Sequence, residues 1–359
     1  MFPNLAERRK KLLLKAERIG SRYVLVSSPE NIYYLTNFWG GNYVLLSEDQ
    51  CILFTGMLES FRALDQSIDT KVVSAPVGKS LLSIMPNYIP KDSKVLAEDN
   101  LLAQKGAFER KLKVSLNISS KQFHELRRRK DDYEVKAISE AAKRIDQLFD
   151  MTAKTVKDGV SEREVASKVI GFAVEIGLDM PMVSSGFEPL IIASGPNSAY
   201  PHAQLTNRKI RRGDVVKGDY FFRYNAYVAD ETRTFVLGQP SKEVREAYDL
   251  VQNAQEECIK KLEAGAITGE LDNICRKIIG NTKFSEYFIH GTGHGVGLEV
   301  HEPPTLSVNQ KDKLIEGDVV TVEPGVYIPK KFGIRIEDTV HIGKKHTVLT
   351  KFTKELIEI

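Results

Sequence analysis

The tetrapeptide Gly-Asp-Val-Val occurs twice in this chain, at Gly213–Val216 and Gly317–Val320, and each copy is followed by an acid at the same offset, Asp219 in the first and Glu323 in the second. A second acid then opens a short acidic triplet in each block, Asp230-Glu231-Thr232 and Glu337-Asp338-Thr339. Two acids in register behind a shared start argue for two related half-domains, and so for a catalytic domain with a pseudo-twofold axis. Few folds satisfy that constraint, because each block must be a strand, a turn and a returning strand, with the amphipathic stretch from Ser241 to Leu262 between them.

The turn of an antiparallel hairpin decides which residues face each other. A two-residue turn at Tyr224-Asn225, where asparagine tolerates the left-handed conformation, sets Asp219 opposite Asp230. A turn centred on Lys330, inside Pro329-Lys330-Lys331-Phe332-Gly333, sets Glu323 opposite Glu337. Directly opposed side chains stand about 4.5–5.5 Å apart at Cβ, and like charges placed so destabilise a sheet. Either one acid of each pair is protonated or cations lie between them, and two divalent ions would neutralise all four charges. A single acidic hairpin usually just faces water. Two of them in a repeat, flanked by Val319, Val322, Ile334 and Ile336, favour a buried site instead.

Three of the seven histidines fall in one segment, His290-Gly291-Thr292-Gly293-His294-Gly295-Val296-Gly297-Leu298-Glu299-Val300-His301. Its glycines let the backbone approach a site closely, and its imidazoles offer nitrogen ligands or proton carriers. His202, in the turn-rich Ser194–His202 stretch ahead of the first block, is a further candidate, although alone it reads as a surface residue.

Ahead of this region the chain alternates helix-like and strand-like pieces, among them Tyr23-Val24-Leu25-Val26, Tyr43-Val44-Leu45-Leu46 and Cys51-Ile52-Leu53-Phe54. The expected organisation is an α/β (α+β) protein of two domains, residues 1–122 and 123–359, which suits a chain of 359 residues. The basic run Arg127-Arg128-Arg129-Lys130 near that boundary reads as a solvated linker or helix face rather than an RNA contact. A capping box at Ser161-Glu162-Arg163-Glu164 marks a helix start.

With 51 basic against 48 acidic residues there is no global drive toward nucleic acid or anionic lipid, and no partner of either kind is expected. No stretch reaches the roughly 18 apolar residues of a membrane span, and the charged N-terminus lacks the apolar core of a signal peptide. Three cysteines, Cys51, Cys258 and Cys275, with no paired spacing, fit a reducing compartment, so a cytoplasmic location is expected.

Taken together, HGTGHGVGLEVHE from His290, VEPGVY from Val322, RIEDT from Arg335 and the Asp219 and Asp230 spacing resemble the pita-bread metallopeptidases, the prolidases above all. SPENIYYLTNF at Ser28–Phe38 is similar to the accessory domain of prolidases and aminopeptidases P. The resemblance implies a pita-bread catalytic domain after a smaller creatinase-like domain. It implies two divalent metal ions per subunit, with Asp219 chelating one, Asp230 and Glu337 bridging both, and His294 with Glu323 completing the second. Such an oxygen-rich set suits Mn²⁺ or Co²⁺ and tolerates Zn²⁺.

By the same likeness the chain hydrolyses the Xaa-Pro bond of dipeptides through a metal-bridging hydroxide. Glu323 passes the proton, His301 stabilises the oxyanion, His202 orients the substrate backbone, and His290 and Arg335 contact substrate. An Xaa-Pro aminopeptidase acting on longer peptides is the rival reading, and a non-catalytic binding protein on the same fold a more distant one. A homodimer is implied. One position departs from the family pattern: Phe221 stands where a glycine commonly follows the first metal aspartate by two residues.

Overall fold

The structure, a computed structural model, describes residues 3–181 and 189–359. The chain forms two compact units, Met1–Arg127 and Arg128–Ile359.

The first unit is a six-stranded mixed sheet in the spatial order Lys71–Ser74, Cys51–Thr55, Tyr43–Leu46, Tyr23–Val26, Lys94–Ala97 and Ser115–Ile118. The three strands expected from the sequence are all present. They are apolar at consecutive positions because helices cover the sheet, among them Leu5–Glu17 and Pro29–Thr36. Ser28 caps the second of these helices and Pro29 starts it, where its missing N–H costs nothing. Leu25, Ile52, Phe54, Val95 and Phe108 lie at the centre of the core.

The second unit repeats one theme twice. The hairpin Val215–Tyr224 with Tyr227–Val236 packs against the long helix Asp132–Thr155. The second hairpin region, Val319–Ile328 returning as Phe332–Ile342, packs against the helix Lys242–Ile259, which in turn meets Thr268–Gly280. Both N-caps preceding the first two helices of the unit are capping boxes, Asp131 with Glu134 and, as the sequence predicts, Ser161 with Glu164. The strands form a four-stranded sheet, a five-stranded sheet and a short two-stranded ribbon. No helix among the described residues is long and apolar enough to cross a membrane.

The second turn forms as expected. Val322 pairs with Asp338 on one side and Gly325 with Arg335 on the other, around Lys330 at φ 64°; Glu323 and Glu337 lie at the break between these two ladders, where their amides bond the carbonyls of Thr292 and Thr232. The first turn does not. It lies at Asn225-Ala226, φ 49° and 72°, one residue later than expected. A two-residue hairpin of this type needs positive φ at both central positions, and asparagine fills the first of them, not the second. The register therefore pairs Asp219 with Thr232 and Phe221 with Asp230. The two aspartates remain on one face but as diagonal neighbours.

The basic run is likewise not a solvated linker. Arg127 is 3% exposed and Lys130 6%. Arg127 donates to Asn31 Oδ1 at 3.1 Å, Arg128 forks onto Asp318, and Lys130 Nζ meets Glu302 Oε2 at 3.1 Å. Carboxylates and an amide far along the chain supply partners that local charge counting does not reveal.

Candidate metal centre

All nine residues singled out in the sequence line one cavity of about 670 Å³ in the second unit: His202, Asp219, Asp230, His290, His294, His301, Glu323, Arg335 and Glu337. Strand alternation delivers Asp219 and Asp230 to the cavity face of the first hairpin, while the second hairpin region brings Glu323 and Glu337. His294 sits at the centre of the short strand Gly293–Gly295. A side chain at Gly293 would put its Cβ 2.0 Å from the carbonyl oxygen of Thr321, so only glycine lets this strand lie against Val319–Val322.

The imidazole of His294 is oriented by its own backbone. Nδ1 lies 3.1 Å from the Gly295 carbonyl, which can only accept, so Nδ1 carries the proton and Nε2 offers a lone pair. That nitrogen is 3.3 Å from Glu323 Oε1 and 3.9 Å from Asp230 Oδ2. Ligand atoms of Asp230, His294 and Glu337 all fall within 4.8 Å of one another.

Bringing these acids together is costly. Burial pushes the carboxyls of Asp230 and Glu337 well above the ordinary carboxylate range, and the neighbouring acids push them further. Burial acts on Glu323 in the same sense, opposed by the hydrogen bond and charge that a proton on His294 Nε2 would supply and by the Arg335 guanidinium; a cation bound at that nitrogen takes the place of the proton. Asp230 Oδ1 and Glu337 Oε1 are buried with no hydrogen-bond donor among the described residues. Orphaned carboxylate oxygens beside an imidazole nitrogen with a free lone pair form a donor set that a hard or borderline divalent cation satisfies. Asp230, His294 and Glu337 fit a divalent cation of the kind that the sequence implies.

Arg335 enters the same cluster. Its guanidinium bonds Asp219 through Nη2, donates from Nε to Thr232 Oγ1 at 2.9 Å and reaches the Tyr327 hydroxyl at 3.4 Å. His290 is held by the same tyrosine: Nδ1 donates to the Gly291 carbonyl at 2.7 Å, leaving Nε2 to accept from the Tyr327 hydroxyl at 2.9 Å. The rings of His294 and His301 lie 4.2 Å apart between centroids.

Four contributors were not foreseen. Thr232 donates to Glu337 Oε2 at 2.7 Å or Asp219 Oδ1 at 3.0 Å, and Thr339 bonds the backbone of Asp230. Their matched place as the third residue of each acidic triplet was the signal that could have found them. Tyr327 and Lys217 gave no local signal. The Lys217 ammonium, fully buried, spans the carbonyls of Ser198, Tyr200 and Pro201, in the segment that carries His202, and lies 5.0 Å over the Tyr327 ring.

Known proteins share this arrangement of chain. Residues 136–344 match the model of metallopeptidase family M24, and residues 8–148 match the creatinase/prolidase N-terminal domain. An Xaa-Pro dipeptidase from Pyrococcus furiosus is 35% identical over 98% of this chain and 100% of its own length. The crystal structure of the prolidase from Pyrococcus horikoshii superposes with a TM-score of 0.89 at 32% identity, covering 98% of this chain and 100% of that one. An X-Pro aminopeptidase from Thermotoga maritima gives a TM-score of 0.86 at 28% identity over 96% and 100%. The duplicated hairpins with their backing helices are the pita-bread fold, and the chain belongs to metallopeptidase family M24.

Proposed function

We propose that this peptidase hydrolyses the Xaa-Pro bond of dipeptides, with Asp219, Asp230, His294, Glu323 and Glu337 holding two divalent ions. The observation that carries the reading is the buried set of carboxylates around His294, lying in a chain similar to an Xaa-Pro dipeptidase over nearly its whole length. Mn²⁺ or Co²⁺ suit the donor set best, and Zn²⁺ is tolerated. Bound there, such ions supply Lewis acidity and an activated water at neutral pH.

The chain's own residues do the rest. Glu323, kept ionised by Arg335 and by the cations it would help to hold, accepts a proton from the attacking water and returns it to the departing proline nitrogen. His301 donates to the oxyanion as it forms, and His202, lining the same cavity, orients the substrate backbone. His290, its Nε2 committed to Tyr327, and Arg335 border the space for the substrate's carboxylate end. A cavity of about 670 Å³ suits a short peptide.

Three buried cysteines without disulfides accord with a cytoplasmic location. A homodimer accords with the helix Met57–Gln66, whose Leu58, Phe61 and Leu64 are exposed at 98%, 75% and 62%.

The test is hydrolysis of Gly-Pro, Ala-Pro and Met-Pro against matching Xaa-Pro tripeptides, with Mn²⁺ or Co²⁺ added and with chelator. Metal-dependent cleavage of the dipeptides is expected, and Asp230→Ala should abolish it. The likeness to the Thermotoga X-Pro aminopeptidase keeps a second reading in play, and cleavage of tripeptides alone would establish that one.

A further inference from the structure

Phe221 shares its strand face with Asp219, two residues away, and directly opposes Asp230 across the hairpin. Its ring therefore rises from the same surface as both carboxylates and forms part of the cavity wall. It is only 6% exposed, because it packs on Val228 of the returning strand and on Val300, the residue before His301. The ring is thus packed between the acidic hairpin and the histidine segment, with its remaining side toward the cavity.

From this geometry we infer that Phe221 sets the upper size limit of the side chain that precedes the scissile bond, an inference that rests on the Xaa-Pro reading above. The scissile carbonyl of a bound dipeptide is drawn to the ions that Asp219 and Asp230 would hold. The side chain on the carbon that bears this carbonyl then falls beside the residue opposite Asp230, which is Phe221. An aromatic ring fixed there excludes a bulky neighbour while offering an apolar face to a small one.

The experiment compares kcat/KM for Ala-Pro, Leu-Pro and Phe-Pro in metal-loaded wild type, Phe221→Leu and Phe221→Ala. Calorimetric binding of free alanine and free phenylalanine, the corresponding product amino acids, is measured alongside. The Phe-Pro to Ala-Pro ratio should rise at least about tenfold in Phe221→Ala, with Phe221→Leu between, because a few methylenes of pocket space are worth that much discrimination. Binding of phenylalanine relative to alanine should rise in the same order. A ratio of substrates is independent of the fraction of correctly folded enzyme, so partial misfolding of a variant does not blur the result. Ratios unchanged within twofold, in an enzyme that cleaves these dipeptides, overturn the role of Phe221. A wild type that cleaves none of them overturns the Xaa-Pro reading instead, and the amino-acid binding order then decides the size limit by itself.

Discussion

Thr339 clamps Asp230 by its backbone, donating its hydroxyl to the Asp230 carbonyl at 2.7 Å and accepting from the Asp230 amide at 3.1 Å. The relation is repeated with the halves exchanged. Thr232, from the first hairpin, donates to Glu337 Oε2 and accepts the Glu337 amide on its own carbonyl at 3.1 Å. Each half of the repeat thereby holds an acid of the other, so the centre forms only when the two halves meet.

Replacing Thr339 by valine keeps the shape and removes the hydroxyl, leaving two buried backbone groups of Asp230 short of a partner. An orphaned buried group costs about 1–3 kcal/mol. Thr339→Val should lower stability by that order in urea denaturation. Calorimetric Mn²⁺ affinity should fall by about 10–100-fold, as expected for loss of a group that orients a ligand, and Thr339→Ser should recover most of both.

Metal binding should stabilise the protein more as pH rises. Asp230 and Glu337 have folded pKa values raised above their unfolded ones, so the metal-free fold holds protons that the unfolded chain releases. That contribution is full below the unfolded carboxylate range and is lost as pH climbs through the folded values. A divalent ion takes the place of those protons, and its benefit grows as they become harder to hold. The Tm gain on adding Mn²⁺ should therefore increase from about pH 5 to about pH 8. Metal-free Asp230→Asn should melt no lower than metal-free wild type, and a lower melt would contradict the proposed repulsion.

The opposite sign applies to Asp338. Burial raises its carboxyl, but Arg233, Lys354 and Gln255 outweigh this and hold it down at about 2. Arg233, 2% exposed, donates to Asp338 Oδ1 at 2.7 Å and forms an ion pair with Glu231 at the same distance. Breaking a buried pair from one side costs about 3–5 kcal/mol, so Asp338→Asn should lose stability of that order at neutral pH. The wild type's advantage is present above the ordinary aspartate pKa and should fade as pH falls through about 2. Urea midpoints of both proteins across acid pH check this.

Lys217→Met keeps the buried volume while releasing the carbonyls of Ser198, Tyr200 and Pro201. His202 follows these residues, so its placement should loosen. We expect kcat/KM to drop by about tenfold or more through a higher KM, with calorimetric metal affinity unchanged. An equal loss of metal affinity would show instead that the ammonium supports the whole centre.

The sequence by itself determined the duplication, the acids at each matched place, the glycines that let His294 approach and the turn around Lys330. These are properties of spacing and residue type, which survive without knowledge of the fold. It did not determine the first hairpin's register, because Tyr224-Asn225 and Asn225-Ala226 both make acceptable local turns and their difference is settled by strand pairing along Val215–Val236. Nor did it reveal the burial of Lys217 on the Ser198–Pro201 carbonyls or of Lys130 on Glu302, or the reach of Arg335 to Asp219. A charged side chain looks solvated until a distant partner is brought to it. Only tertiary packing, which joins groups far apart along the chain and excludes water from between them, decided where these charges lie and turned a set of acids into a centre that calls for metal.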